Sequence, residues 1–303
     1  MTEDPLWPRA SAWLAAGGHR GGPSLGVVGV PLSRTSISPS QAHTTPAAVR
    51  AALRRFSTLH AALDVDLETL SVTDHGDLPV EDAGVVDHLA RVEQGLRPVA
   101  SAGHDLLVVL GGDNAVTRPA LRALLPIGST GLLTLDAHHD VRGFHSGATN
   151  GTPVRGLVED GLRGDHVVQV GIGALTNSRA YRDWCEDRGV TLVGADECRG
   201  RVGEVVRSLL DRLAGTCEHL YVDLDVDVLD ATFVPGCPGA RPGGLAPWEL
   251  LEAAVEAGRH PAVRVVDITE VDAAADVGGR TVDVAAQCLL SAAAGLAARA
   301  ARR

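Results

Sequence analysis

GLLTLDAHHDVR, residues 131–142, runs from a nearly unbroken apolar stretch straight into two Asp, two His and an Arg. An apolar run without in–out alternation is the pattern of a strand buried on both faces, as strands of a parallel sheet are when they lie between helices. In such sheets the chemistry collects just beyond the carboxyl ends of the strands. A knot of ionisable groups at that end of a buried strand therefore bears on fold and function at once.

The same pattern recurs outward in both directions. Apolar, β-rich runs at 24–30, 105–112, 166–172, 189–195, 219–227 and 262–272 join 131–137 as expected strands. Helical spacing separates them at 45–56, 85–102, 117–125, 178–187, 201–213, 247–257 and 281–298. The helix at 45 opens on Thr45 and Pro46, read as an N-cap followed by the residue best suited to the first helical position. Strand and helix alternate, so the expected fold is α/β: three layers, α/β/α, with a mainly parallel central sheet. No repeat, low-complexity tract or clear linker divides the chain. One domain over 1–303 is the simplest reading, with about 1–23 as a less ordered tail or a first helix on a flexible joint.

Composition narrows the function. The 303 residues are 45% hydrophobic and 21% charged, an ordinary globular balance. A formal net charge of −11 disfavours nucleic acid and anionic membranes as main partners. It leaves room for a small anionic substrate met by a local Arg. Five cysteines (Cys185, Cys198, Cys217, Cys237 and Cys288) are scattered without CxxC pairing, which speaks against a disulfide framework or a zinc knuckle. No basic leader and no stretch of about 18 uncharged apolar residues is visible, and a cytoplasmic setting is expected.

Four strands end in polar clusters. Asp113 and Asn114 follow 105–112. Asp136, His138, His139 and Asp140 follow the run quoted above. Asp223, Asp225, Asp227 and Asp230 close the run at 219–227, and Asp267, Glu270 and Asp272 that at 262–272. A single Asp at a strand end most often caps a helix or forms a turn. Carboxylates gathered from four strands at one sheet edge repel one another and are costly to desolvate, and divalent cations resolve both problems. Oxygen-rich donors with one or two imidazoles suit manganese, magnesium or iron(II) better than zinc. Alternation places Asp136, His138 and Asp140 on one face and turns His139 away.

These motifs resemble those of the ureohydrolase family, which includes arginases, agmatinases and formimidoylglutamases, over about 26–290. DAHHD is similar to the family's DAHxD, DVDVLD to its DxDxxD, and VDITEVD to its Glu-bearing third segment. GGDN is similar to GGDH except in the last position. The resemblance implies an arginase-like α/β domain, a homo-oligomer and two Mn2+ ions. It implies Asp136, His138, Asp140, Asp225 and Asp227 as ligands, with Asp136 and Asp225 bridging. It implies that Glu270 pairs with a substrate amidinium or guanidinium, and it leaves Asp223 and Asp230 as supporting groups.

Two departures stand out. Asn114 occupies the position of a family His, and its neutral amide oxygen is the weaker ligand, so one manganese position is expected to be weakened. Asn150, in NGTP, takes the place of the His of HGxP and removes a proton shuttle. Formimidoylglutamases resemble this chain in that respect. His145, five residues earlier, is a candidate replacement or a solvated loop residue. Arg142, in DVR, suits a planar carboxylate by bidentate pairing unless it faces solvent. Arg155 is a second candidate for that role, and Asn150, Thr176 and Asn177 are candidates for other substrate contacts.

Together these imply hydrolysis of a linear amidine: N-formimidoyl-L-glutamate to L-glutamate and formamide, a step of histidine breakdown. Asp140 is expected to pass a proton to the departing amine. Two alternatives stay open. One is a guanidino-acid or agmatine hydrolase releasing urea, although agmatine brings no carboxylate for Arg142. The other is a metal-poor binding protein, favoured by Asn114 and Asn150 and opposed by five remaining ligand candidates.

Overall fold

A computed structural model describes residues 4, 6–18, 20–80 and 87–300. Eight strands form one sheet: β1 (Ser24–Gly29), β2 (Ser71–Asp77), β3 (Leu106–Leu110), β4 (Thr130–Leu135), β5 (Val167–Ile172), β6 (Thr191–Gly194), β7 (His219–Asp225) and β8 (Val263–Thr269). Their spatial order is β2-β1-β3-β8-β7-β4-β5-β6, and every neighbouring pair is parallel. Parallel neighbours cannot be joined by a tight turn, so helices carry the chain back. α2 (Thr45–Ala52), α3 (His88–Ala100), α4 (Thr117–Leu124), α5 (Pro153–Glu159), α6 (Arg179–Glu186), α7 (Val202–Ala214) and α8 (Pro247–Arg259) do so, while α1 (Ala10–Ala16) precedes β1 and α9 (Arg280–Ala300) follows β8.

The central strands feed two cores. On β3, Leu106, Val108 and Leu110 join one apolar cluster with residues of α1, α2, α7, α8 and α9. Leu107 and Val109 join the other, with residues of α3, α4 and α5 and Cys185 of α6. This is the physical content of the unalternating runs: both faces are dry, and each fully buried Val or Leu stabilises the fold by about 1.5–3 kcal/mol. By length and composition alone α9 could cross a membrane, but 83% of its most apolar window is buried within the protein, where it packs on α8.

The expected three-layer architecture is the observed one, with local corrections. Edge strand β2 was not anticipated, because SVTDHGD is buried only in its first residues and carries Asp, His and Gly thereafter. Helix α5 was also missed. It is short and opens on Pro153. Within the N-terminal segment α1 forms and buries Ala10, Trp13 and Leu14. Thr45 is the first residue of α2, not its cap, and its hydroxyl donates instead to the Val271 carbonyl. The expected helix at 85–102 is seen from His88, capped by Asp87, whose carboxylate accepts from Ala90 N at 3.0 Å; 85 and 86 lie outside the described residues.

Topology then places the chemistry. The four strands that end in acidic clusters are the four contiguous central ones, β3, β8, β7 and β4. In register, Asp267 lies beside Asp223 and Thr269 beside Asp225, and Thr134 lies on the other side of Asp223.

Candidate metal centre

Beyond the ends of these strands, the side chains of Asp136, His138 and Asp227 converge, with one potential ligand atom from each lying within 4.8 Å of the others. His138 Nδ1 is 2.7 Å from Asp227 Oδ2 and 3.4 Å from Asp136 Oδ1. Backbone amides fix the carboxylates: His138 N donates to Asp136 Oδ1 (2.6 Å), Ala137 N to Asp227 Oδ1 (3.2 Å) and Asp227 N to Asp225 Oδ1 (2.8 Å). Asp136, Asp225, Asp227 and Glu270 are buried, whereas His138 and Asp140 are half-buried. His139 turns the other way, as alternation predicts, and its Nδ1 meets Gln169 Oε1 at 2.7 Å.

Two of the acids sit in strained backbone. Asp140 has φ 52° and Glu270 φ 63°, and among the described residues only Asp64 is another non-glycine residue in this region. Left-handed backbone at a non-glycine residue persists only where the surroundings enforce it. Here the enforcing contacts come from Asn114. Its backbone N–H donates to Glu270 Oε1 and its side-chain NH2 to Asp140 Oδ2, each at 2.7 Å.

Electrostatics at the cluster favours a bound cation. Burial, then repulsion from Asp227 and neighbouring carboxylates, drives Asp136 and Asp225 well above the usual carboxylate range. Enclosure pushes Asp140 up to about 7 against the charge of His138. Burial, with the charge of Asp113, pushes Glu270 up to about 8. Burial opposes charging of His138, but Asp227, Asp140 and Asp225 together outweigh it and raise the imidazole to about 9. Asp227 itself is held low, since His138 more than offsets its burial. One imidazolium cannot neutralise this many carboxylates. The donor set of several carboxylates and one imidazole fits divalent manganese or a similar hard cation.

The arginase family model matches residues 23–295. The chain belongs to the arginase family. A formimidoylglutamase of Halalkalibacterium halodurans is 35% identical over 88% of this chain and 85% of that protein. A formimidoylglutamase of Bacillus subtilis is 34% identical over 91% of this chain and 87% of its own length. The crystal structure of formimidoylglutamase from Bacillus subtilis superposes with a TM-score of 0.90 at 31% identity, covering 98% of this chain and 94% of that one.

In this arginase-family chain a cleft of about 110 Å³ opens over the cluster. Its walls include His138, Asp140, Asp225, Asp227 and Glu270, together with Arg142, Asn150 and Arg241. Asn150 donates its side-chain NH2 to Glu270 Oε1 at 3.0 Å, and its amide oxygen accepts from Ile37 N. Asn114 sits beside Asp140: its NH2 donates to Asp140 Oδ2, and its amide oxygen lies 2.9 Å from Thr117 Oγ1 and 3.3 Å from Thr269 Oγ1.

Four other candidates do not line the cleft. His145 is exposed, its ring against Gly143. Arg155 donates to the Val141 carbonyl at 2.8 Å, pairs with Glu159 at 3.6 Å and lies over the Trp184 ring, so it braces the backbone behind Asp140. Thr176 and Asn177 both donate to the Ala137 carbonyl (2.7 and 2.9 Å), and Asn177 Oδ1 accepts from His139 N. They hold the ligand loop from below. Asp230 closes its own loop by accepting from Thr232 N and Gly243 N. Arg241 was overlooked in the sequence, although it is the only basic residue in the Gly- and Pro-rich stretch 226–246 that follows DVD.

Proposed function

We propose that this arginase-family chain, as one domain, hydrolyses N-formimidoyl-L-glutamate to L-glutamate and formamide. Manganese would be held by Asp136, His138, Asp140, Asp225 and Asp227, and when bound it supplies Lewis acidity and lowers the pKa of water. The observation that carries the reading is one small cleft with a buried carboxylate, Glu270, in its wall and a guanidinium, Arg142, without an ion-pair partner among the described residues, lining the same space. A substrate bearing an amidinium and a carboxylate matches both.

Each residue then has a task. Glu270 binds the amidinium. It is aimed by the Asn114 backbone N–H and the Asn150 amide, which also favour its charged form. Arg142 binds a carboxylate. Water adds to the amidinium carbon and forms the new C–O bond. Asp140 takes the proton released and delivers it to the substrate nitrogen as the C–N bond breaks. Asn114 holds Asp140 Oδ2 in place for this transfer. Glutamate leaves with the amine, and formamide keeps the amidine carbon and its other nitrogen.

The test is glutamate release from N-formimidoyl-L-glutamate by manganese-loaded protein, with 4-guanidinobutyrate run alongside. Glutamate and formamide are expected. Urea from 4-guanidinobutyrate, with no glutamate, would reassign the substrate to a guanidino acid.

A further inference from the structure

Arg142 and Arg241 reach one cleft from two different strands. Arg142 lies in the loop after β4 and Arg241 in the loop after β7, and both line the space over Asp225, Asp227 and Glu270. Guanidinium groups this close to buried carboxylates would ordinarily collapse onto them. Neither does so: among the described residues, no carboxylate lies in ion-pair distance of either.

Both are exposed, and Arg241 is tethered to its own loop. Arg241 Nη1 donates to the carbonyls of Pro238 (3.0 Å) and Ala240 (2.9 Å), which fixes one edge of the fork and, among the described residues, leaves its remaining N–H groups unspent. The loop beneath it lies tight on the ligand cluster, for a Cβ at Gly239 would come within 2.4 Å of Asp227 Oδ2. The stem of Arg142 crosses Gly151 so closely that a Cβ there would lie 2.6 Å from its Cδ. Gly151 follows Asn150, which bonds Glu270. Arg142 therefore shares a wall with the residue that orients the amidinium partner, and Arg241 stands on the wall built from the β7 loop.

We propose that Arg241 is a specificity-determining residue: it binds the side-chain carboxylate of the substrate, while Arg142 binds the carboxylate on the carbon next to the amidine nitrogen. Two guanidinium groups on opposite loops then select a dicarboxylate amidine over a monocarboxylate. This rests on the functional reading above and goes beyond it by assigning each carboxylate.

The experiment compares wild type and Arg241→Gln, both manganese-loaded, on N-formimidoyl-L-glutamate and N-formimidoyl-L-glutamine, whose side chain is neutral. Losing a charge-assisted contact should lower kcat/KM on the glutamate compound by about 10- to 100-fold, chiefly through KM. The glutamine compound should change by less than about 3-fold, so the preference of the wild type disappears. Arg241→Lys should recover part of that preference. An equal loss on both compounds, or no loss on either, overturns the assignment while leaving the functional reading intact. A wild type inert on both overturns the functional reading and this assignment with it.

Discussion

Asn150 and Glu270, 120 residues apart in sequence, meet through an Nδ2–Oε1 hydrogen bond of 3.0 Å. Asn150 is itself held by Ile37 N. The amide steers a buried carboxylate. Asn150→Ala should lower kcat/KM by roughly 10-fold, the value of one hydrogen bond to a charged acceptor. Asn150→Asp should lose more, because it sets a second carboxylate against Glu270. Steady-state kinetics on N-formimidoyl-L-glutamate checks both, and an Asp variant as active as wild type would refute the pairing.

Arg142→Gln should reduce kcat/KM on both the glutamate and the glutamine compound by about 10- to 100-fold, since both keep the carboxylate it is assigned. This is the opposite of the pattern expected at Arg241. Kinetics on the two compounds separates the residues, and a loss confined to the glutamate compound would exchange their roles.

Asp227→Asn should abolish turnover. It removes the charge that holds the proton on His138 and a ligand atom from the cluster. The β7 end should survive, because the loop's fixing bonds from Ala137 N and to Asp225 Oδ1 involve atoms an Asn retains. Metal analysis should show less bound manganese, and circular dichroism an unchanged fold. Full activity would remove Asp227 from the ligand set.

Without metal, stability should fall as pH rises from about 5 to about 9. Asp113 is pushed up to about 6, Asp140 to about 7, Glu270 to about 8 and His138 to about 9. Each lies above its unfolded value, so the native state holds protons that the unfolded chain has already released. Unfolding free energy then has a negative slope with pH through this window. Saturating manganese displaces those protons and should reverse the trend. Thermal melts at several pH values, with and without manganese, decide it: a metal-free Tm rising with pH would contradict the sign.

Beneath the cluster, Tyr221 OH donates to Asp267 Oδ2 at 2.7 Å, with Thr117 Oγ1 2.8 Å from the same oxygen, and all three side chains are buried. Tyr221→Phe leaves Asp267 short of a donor in a dry layer and should cost about 1–3 kcal/mol. Urea denaturation measures it. Unchanged stability would mean that water replaces the phenol.

Much of this was legible from residues alone. Seven of the sheet's strands announced themselves because burial on both faces leaves a run of Val and Leu that polar chain cannot imitate. β2 did not, because an edge strand needs only one partner and tolerates Asp74, His75 and Gly76. The acidic positions of the centre were readable because their spacing is local: Asp136, His138 and Asp140 lie within five residues, and Asp225 and Asp227 within three. What the sequence concealed depends on contacts between distant segments. Nothing near Arg155 says that Val141 and Trp184 will occupy it, and nothing near Asn114 says that it will meet Asp140 and Glu270. Arg241 was hidden for the same reason, since its neighbours across the cleft come from other strands.

The left-handed backbone at Asp140 and Glu270 has one more consequence. A glycine at either position would relieve an unfavourable conformation and remove a buried acid, so the metal-free chain should become more stable by about 1 kcal/mol or more at each. Mutational drift guided only by thermostability would erase these two side chains early. Enriching a library of this protein for heat resistance, with no demand on catalysis, should therefore return glycine at 140 and 270 among its first winners, and such a screen would mark the reactive centre by what it discards.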